Sequence, residues 1–300
     1  MRMSTTRGLA VLVVTMIILS GCTRVATGPQ SFQEPTLGSV PIIASPDQVV
    51  LPIDSYLPSA DQTVAIMLVA VELLNQCVRT EGGQGNIHYL VYDSTGIASP
   101  AGQGELTNYV ASSRRDSVVR NGMWQFFDPD NAATYGYQSP PGQWASLSSS
   151  VSMNDPRHST CLARVNSVVP GGQMLSPFSV SELPDNGSPW HLDDSRYQAV
   201  AAQWSGCMKD NGFDYPTPRE AMADNYQGAA TDRARAVAVA DVKCKLSTNL
   251  VGVAVAVQSA YDQEYIDTHV DQLAALRVNI ADFLAGRVTV PDTLPSATPS

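Results

Sequence analysis

Few side chains in this sequence have the type and spacing that catalysis or metal binding requires. His158 and Cys161 are three residues apart, which could join a nucleophile to a base or supply two metal ligands. His191, Asp193 and Asp194 could also ligate a metal, although helix capping explains the two aspartates better. The GxSxG, SxxK, HExxH and P-loop motifs are absent from the sequence. The sequence therefore indicates no catalytic residue, no metal and no cofactor.

The first 22 residues have the features of an exported lipoprotein. Arg2 and Arg7 form a basic region before a short apolar stretch, 8–19. This stretch is too short to span a bilayer comfortably and is typical of a secretory signal. The sequence LSGC (19–22) follows and resembles the bacterial lipobox, whose cysteine becomes the lipidated first residue of the mature protein. An ordinary signal peptide or a short membrane anchor, with an incidental cysteine, is the alternative. We expect acyl chains on Cys22 to anchor the protein at the outer face of the cytoplasmic membrane.

Four cysteines remain once Cys22 is assigned to lipid. In an exported chain they predict two disulfides, for which three pairings exist. We favour Cys77–Cys161 and Cys207–Cys244, because each pair closes a loop within one half of the chain. Loop closure would then contribute about 4.6 and 3.9 kcal/mol to stability. Buried free thiols are the alternative, and a zinc site is disfavoured because no two cysteines have the spacing of zinc ligands.

The charge balance narrows the choice of partners. The full chain has a net charge of −10, and loss of a signal that contains Arg2 and Arg7 makes the mature protein more negative by two. An acidic protein is a poor match for nucleic acid or for electrostatic docking on anionic lipid. With 300 residues, 44% of them hydrophobic, the chain can bury one sizeable core or two small ones.

The last third of the chain gives the strongest structural signal. The sequence WSGCMKDNG (204–212) ends a helix that we expect to begin at the aspartates 193–194. An alanine- and valine-rich pattern over 229–285 predicts a long C-terminal helix, weakest at 247–249 and at Gly252. Its alternating valines also fit a strand, but the residues between them are mostly alanine, the best helix former.

Local signals place further elements along the chain. Ser59 and Gln62 form a capping box at the start of an apolar helix. Residues 88–92 fit a short strand, 105–120 fit one amphipathic helix, and a short helix is expected at 161–168.

These patterns predict a mainly α-helical protein in which disulfides link the helices and long irregular loops occupy the middle of the chain. Pro, Ser and Gly enrichment at both ends predicts segments outside the folded domain. The expected segments are a signal peptide (1–21), a flexible tether (22–48), a mainly helical extracytoplasmic domain (49–285, with candidate halves 49–170 and 190–285) and a disordered tail (286–300).

Aromatic side chains are concentrated in residues 121–145, among Gly, Pro, Asn and Gln. Such mixtures can line sugar- or peptide-binding grooves, because aromatic faces bury area while polar edges form hydrogen bonds. Packing of these loops onto the helices is the alternative. The candidate binding surface consists of Trp124, Phe126, Phe127, Tyr135, Tyr137 and Trp144.

Five sequence motifs, spread over most of the mature chain, point to one family. They are LPIDSY (51–56), QCVRTEG (76–82), YGYQSP (135–140), WSGCMKDNGFDY (204–215) and VAVADVKCKLSTNL (237–250). Together they resemble uncharacterised secreted lipoproteins of actinobacteria, the high-GC Gram-positive bacteria. The likeness is densest over 204–285 and is lost over about 86–120. The resemblance implies a lipid anchor, disulfides and a mainly helical fold, and it implies no activity because none is established for that family.

Three hypotheses about function follow. The first is a non-enzymatic, lipid-anchored envelope protein that binds a protein or a cell-wall glycan through residues 121–145 or through a projecting C-terminal helix. The second is a hydrolase that acts on envelope material. The third is a solute-binding component of a transporter, which is disfavoured because the strand–helix alternation of two α/β lobes is missing. Nucleic acid is not an expected partner.

Overall fold

Helices dominate the described part of the chain. The computed structural model describes residues 34–92, 97–123, 129–138, 146–149, 155–172, 178–226 and 230–293, with 114–123 and 146–149 described by their backbone. The α-helices in these residues are α1 (Ala60–Thr80), α2 (Gln103–Met123), α3 (Pro129–Tyr135), α4 (Pro156–Asn166), α5 (Ser195–Asp210), α6 (Pro218–Asn225), α7 (Asp232–Thr248), α8 (Leu250–Thr268) and α9 (Val270–Leu284). The mainly helical fold expected from the sequence is confirmed.

Within the described residues, one small antiparallel sheet accompanies the helices. Its strands are β1 (Tyr89–Tyr92), β2 (Ala98–Pro100) and β3 (Ser146–Ser149), in the order β2-β1-β3. Leu90 of β1 is paired with Pro100 on one side and Ser148 on the other. The strand expected at 88–92 is therefore present, and the sequence analysis did not identify its two partners.

Two helices begin at the caps that the sequence indicates. The Ser59 hydroxyl accepts a hydrogen bond from the Gln62 backbone N–H at 3.1 Å, and Gln62 Oε1 accepts one from the Ser59 N–H at 2.9 Å. Asp194 accepts a hydrogen bond from the Arg196 N–H at 2.9 Å and starts α5. These caps satisfy backbone donors that would otherwise lack a partner in the first turn.

The C-terminal helical region is divided into α7, α8 and α9. Asn249 separates α7 from α8 in the left-handed conformation, with φ of 53°, so the weak point expected at 247–249 is confirmed. The Asn249 Nδ2 donates to the Pro41 carbonyl at 2.9 Å. A second break, at His269 between α8 and α9, was not expected. The long helix is thus three shorter ones, each able to pack on the body of the protein.

The described residues form two hydrophobic cores, and Leu276 packs against both. The first core lies among α5, α7 and α8, where Trp204, Met208 and Leu250 are fully buried. The second core surrounds α1, which packs against α2, α4 and α9 and buries Leu74 and Val78.

The two cores do not follow the candidate division into halves 49–170 and 190–285. Ile53, from the N-terminal side, is buried in the first core, and Phe283, from the C-terminal side, is buried in the second. The described residues from Pro35 onward belong to one compact unit. The N-terminal half of the chain therefore contributes to the first core, and the C-terminal half contributes to the second.

The prediction of a flexible tether over 22–48 is wrong for residues 35–48. Ile43 is only 5% exposed and belongs to the first core. The Pro41 carbonyl accepts the hydrogen bond from Asn249, and Pro41 lies so close to Gly252 that a Cβ at position 252 would be 2.0 Å from its oxygen. Leu37 also packs against this core, and Arg196 Nη1 donates to the Pro35 carbonyl at 2.6 Å, so several long-range contacts dock a segment whose composition is typical of a linker.

The prediction of a disordered tail over 286–300 is likewise wrong for residues 286–291. Val288 and Val290 pack against the second core. The Arg164 Nε donates to the Pro291 carbonyl at 2.8 Å, and Arg164 also forms an ion pair with Glu81.

Both disulfides expected from the sequence are present. Cys77–Cys161 joins α1 to α4, with 5.7 Å between the Cα atoms. Cys207–Cys244 joins α5 to α7, with a Cα–Cα distance of 5.6 Å. Each bond links two helices of the same core.

Of the described helices, α1 alone is long and apolar enough to cross a membrane, with a mean hydropathy of 1.4 over its most apolar window. More than half of that window is buried within the protein. Its apolar surface forms the centre of the second core, so its hydropathy is explained by packing.

Candidate functional site

The aromatic residues proposed as a binding surface divide into three groups. Trp124, Phe126, Phe127 and Trp144 lie outside the described residues. Tyr135 ends α3 and is half-buried. Tyr137 is fully buried, so its assignment to an exposed surface is wrong. Cys22, the predicted lipidation site, also lies outside the described residues.

Tyr137 is buried because its hydroxyl has a partner inside the first core. The hydroxyl donates to Asp241 Oδ2 at 3.0 Å. Trp204 Nε1 donates to the other carboxylate oxygen, Oδ1, at 2.9 Å, and Lys245 Nζ lies 2.7 Å from Oδ2. This Asp241 cluster therefore joins the segment after α3, helix α5 and helix α7 through one carboxylate.

The Asp241 cluster is closed to solvent, since the side chains of Asp241 and Lys245 are both 0% exposed. Burial raises the pKa of Asp241, and the Lys245 charge and hydrogen bond oppose that shift. Burial lowers the pKa of Lys245, against the attraction of Asp241. A buried pair with this many hydrogen bonds fixes the relative placement of its helices, and no substrate could reach it.

The sequence analysis missed the Asp241 cluster. Its signal is Asp241 and Lys245 four residues apart on a helix in which seven of the other fifteen residues are alanine or valine. Charges at this spacing usually form a surface pair. Only the tertiary packing shows that α7 is covered on the side that carries them.

A second group of polar side chains fastens residues 184–194 to α8. Tyr261 is stacked on His191, with 3.5 Å between ring centroids, and its hydroxyl donates to Asp194 at 3.2 Å. Gln258 Nε2 donates to Ser188 Oγ at 3.0 Å and to Asp262 Oδ1 at 2.8 Å. These contacts hold an irregular segment on the helix surface.

Asp262 is the least satisfied member of this group. It is fully buried, and no hydrogen bond to its Oδ2 occurs within the described residues. Burial raises its pKa to about 6, against the hydrogen bonds from Gln258 and Ser188. A carboxyl group in this position is easier to bury when it is protonated.

The side chains that the sequence suggested for catalysis or metal binding have other roles in the structure. Cys161 is disulfide-bonded, so it is no nucleophile for His158. Asp194 caps α5, and the hydrogen bonds from Arg196 lower its pKa. Burial lowers the pKa of His191, which stacks on Tyr261. Within the described ranges, no three His, Cys, Asp or Glu residues are grouped so that they could hold a metal.

An open cleft lies on the surface between α7, α3 and the end of α5. Its volume is about 410 Å³. Small or apolar residues form its floor, among them Val239, which is 39% exposed. Its lining residues are Ala133, Asn211, Phe213, Arg235, Ala236, Val239, Ala240 and Lys243.

Two cations mark the ends of this α7 cleft. Arg235 and Lys243 are eight residues apart on α7, which corresponds to about 12 Å along the helix axis. Arg235 is held by Asp232 and by the Ala230 carbonyl. Lys243 Nζ donates to Asn211 Oδ1 at 3.3 Å. The α7 cleft thus combines an apolar floor with two cationic side chains, of which Arg235 is paired with the exposed Asp232, on a protein whose overall charge is negative.

Comparison with known proteins found no matching family model, no matching curated protein and no matching solved structure. The resemblance to actinobacterial secreted lipoproteins therefore stays an expectation from the sequence motifs.

Proposed function

We propose that this chain is a lipid-anchored protein of the cell envelope that binds a partner without transforming it. In this proposal Cys22 carries the lipid and holds the protein at the outer face of the cytoplasmic membrane. The signal-like residues 1–21 and the lipobox-like sequence support export and anchoring. The two disulfides are consistent with a compartment outside the cytoplasm.

A binding role is favoured over catalysis by the state of the reactive groups. The buried Asp241–Lys245 pair has no access to solvent. The cysteines described are joined in disulfides, and the α7 cleft contains no carboxylate, histidine or hydroxyl among its lining residues. The cleft can therefore attract a ligand, and its described lining residues include no acid–base pair for hydrolysis.

The α7 cleft is the observation that carries the proposal. Its two cations lie about 12 Å apart, with Ala236 and Val239 between them. An extended peptide rises about 3.3 Å per residue, so acidic groups four residues apart match this spacing. We therefore propose as partner a segment of a neighbouring envelope protein with two acidic side chains that flank apolar ones. Ala133 in the wall belongs to the 121–145 region that the sequence analysis singled out.

Site-specific photo-crosslinking in the native envelope tests this function. A photoreactive amino acid at position 239 should give one discrete protein adduct in the anchored, full-length protein. The matched control is position 278 on α9, where Val278 is also exposed (58%) and lies outside the cleft. Arg235→Glu with Lys243→Glu should abolish the adduct, whereas Arg79→Glu with Arg287→Glu should preserve it. An adduct with glycan in place of protein would assign the cleft to a wall polymer, and the same adduct at both positions would contradict a specific site.

A further inference from the structure

The two disulfides lie in different surroundings. Cys77 and Cys161 are 8% and 0% exposed and lie inside the second core. Cys244 is also fully buried, but Cys207 is only partly buried, on the last turn of α5. Thiol–disulfide exchange requires a thiolate to reach one sulfur of the bond. Residue exposure therefore distinguishes Cys207 from the other three cysteines of the two disulfides.

The surface around Cys207 is open. Gly206, the preceding residue, is exposed, and a Cβ at that position would meet no atom within 4 Å. Ser247 is also exposed, and its Oγ lies 3.8 Å from the Cys207 sulfur. An incoming thiolate would meet a glycine and a hydroxyl, and neither is bulky.

Polar groups next to the disulfide favour an anionic attacker and an anionic leaving group. The Asn211 Nδ2 lies 3.8 Å from the sulfur of Cys207 and 3.8 Å from that of Cys244. Asn211 Oδ1 accepts a hydrogen bond from the exposed Lys243. The cation attracts a thiolate to this surface, and the amide N–H can donate to a sulfur as it gains negative charge.

We propose that Cys207–Cys244 is a thiol–disulfide exchange site for a dithiol reductant, whereas Cys77–Cys161 is a structural crosslink. A thiolate of the dithiol attacks Cys207 Sγ, the Cys207–Cys244 bond breaks, and its electron pair leaves on Cys244 Sγ, which takes a proton. The second thiol of the dithiol then attacks the mixed disulfide at the reductant's own sulfur. Cys207 leaves as a thiolate and is protonated, and the reductant departs as its own disulfide. Two electrons and two protons pass from the dithiol to the protein.

The reduced form should remain folded. Helices α5 and α7 are also joined by the Trp204–Asp241 hydrogen bond in the first core. Trp204 and Met208 on α5 are fully buried. Reduction would thus remove one link between the two helices and leave their packed face in place.

Graded reduction of the intact mature protein tests the proposal. Dithiothreitol is the probe: samples are quenched with acid, freed of dithiothreitol and alkylated in denaturant, so that the buried Cys244 is labelled as well, and the four cysteines are followed by peptide mass spectrometry. Cys207 and Cys244 should become alkylated at least about tenfold faster than Cys77 and Cys161, while the far-ultraviolet circular dichroism of a helical protein persists. Equal rates for the two bonds would overturn the proposal, as would opening of Cys207–Cys244 only at the rate of global unfolding.

A charge-reversal variant tests whether Lys243 promotes reduction beyond the effect of the exposure of Cys207. Lys243→Glu should slow reduction of Cys207–Cys244 several-fold at low ionic strength, and salt should reduce the difference. Arg287→Glu makes the same charge change on an exposed residue after α9 and should leave the rate unchanged. Equal rates in the two variants would refute the role assigned to Lys243, whatever the accessibility of the bond.

Discussion

The indole N–H of Trp204 donates to Asp241 Oδ1 at 2.9 Å in the interior of the first core. Because Tyr137 and Lys245 bind the other oxygen, one buried carboxylate joins three parts of the chain that are up to 108 residues apart. Buried polar groups are costly when they lose a partner and specify one packing arrangement when all of them are satisfied. The stability of this fold should therefore be unusually sensitive to substitutions in the Asp241 cluster.

Lys245→Met should destabilise the protein by about 3–5 kcal/mol, because it leaves the buried Asp241 carboxylate without its cation. Lys243→Met makes the same chemical change two residues earlier on α7, at an exposed position. It should change the free energy of unfolding by less than about 0.5 kcal/mol. Urea unfolding followed by tryptophan fluorescence measures both values, and similar losses would mean that the pair is not a buried anchor.

Local sequence patterns were sufficient where a side chain and its backbone partner lie within one turn. The Ser59–Gln62 capping box, the Asp194 cap and the break at Asn249 are all of this kind. Each depends on hydrogen bonds or on a positive φ that neighbouring residues decide. Such features can be identified before any tertiary contact is known.

Features that depend on distant contacts could not be predicted in the same way. Tyr137 lies near glycines and prolines, which are typical of a surface loop, yet its partner Asp241 is 104 residues away. Ile43 lies in a segment whose Pro41 carbonyl accepts a hydrogen bond from Asn249, which is more than 200 residues away in the chain. The amino-acid composition of a segment indicates how it behaves in isolation. Here a few long-range contacts order segments whose composition is typical of loops or linkers.

Most residues that line the α7 cleft could not be identified from the sequence. The aromatic-rich region 121–145 contributes one described residue, Ala133, to the wall of the cleft, and its role in binding stays a prediction. The rest of the lining comes from α7 and from Phe213, whose approach depends on how α5 and α7 pack. A helical wheel of α7 alone shows no distinct binding face, because buried and exposed positions both carry alanine and valine.

Asp262 should make the stability of the protein depend on pH. Its pKa is raised from 3.8 to about 6 in the folded protein, chiefly by burial, so the folded state favours the protonated form. The resulting penalty is absent below about pH 4, grows through pH 6 and reaches about 3 kcal/mol above it. Asp262→Asn should remove this dependence, because the amide keeps an acceptor for Gln258 and does not ionise.

The measurement is the difference in unfolding free energy between Asp262→Asn and the wild type, taken at several pH values from 4 to 8. The difference should move in favour of the variant as pH rises. Asp194 titrates in the opposite sense, since the hydrogen bonds from Arg196 lower its pKa, but it contributes equally to both proteins and cancels. A difference that is constant with pH would show that Asp262 is not the titrating group.

Gly252→Ala should destabilise the protein by about 1–3 kcal/mol through overpacking. A Cβ at this position would lie 2.0 Å from the Pro41 carbonyl oxygen and 2.5 Å from the Asn249 side chain, so the docked N-terminal segment would have to move. Limited proteolysis should then cleave residues 35–48 faster. Gly206→Ala on α5 is the matched control, because a Cβ there meets nothing within 4 Å and alanine is the better helix former. Faster cleavage in both variants would contradict a local clash.

Cys22→Ala should release the protein from the membrane, because acyl chains on Cys22 are the only anchor that the sequence predicts. The released protein should keep both disulfides, since neither involves Cys22. Detergent phase partition and intact-mass analysis measure the change: the wild type should enter the detergent phase with a mass increased by lipid, and the variant should stay in the aqueous phase. Arg2→Ala, a substitution within the segment that the proposed cleavage would remove, is the control and should leave the lipid mass unchanged. Membrane retention of Cys22→Ala after an alkaline wash would refute the lipoprotein assignment and leave an uncleaved N-terminal segment as the anchor.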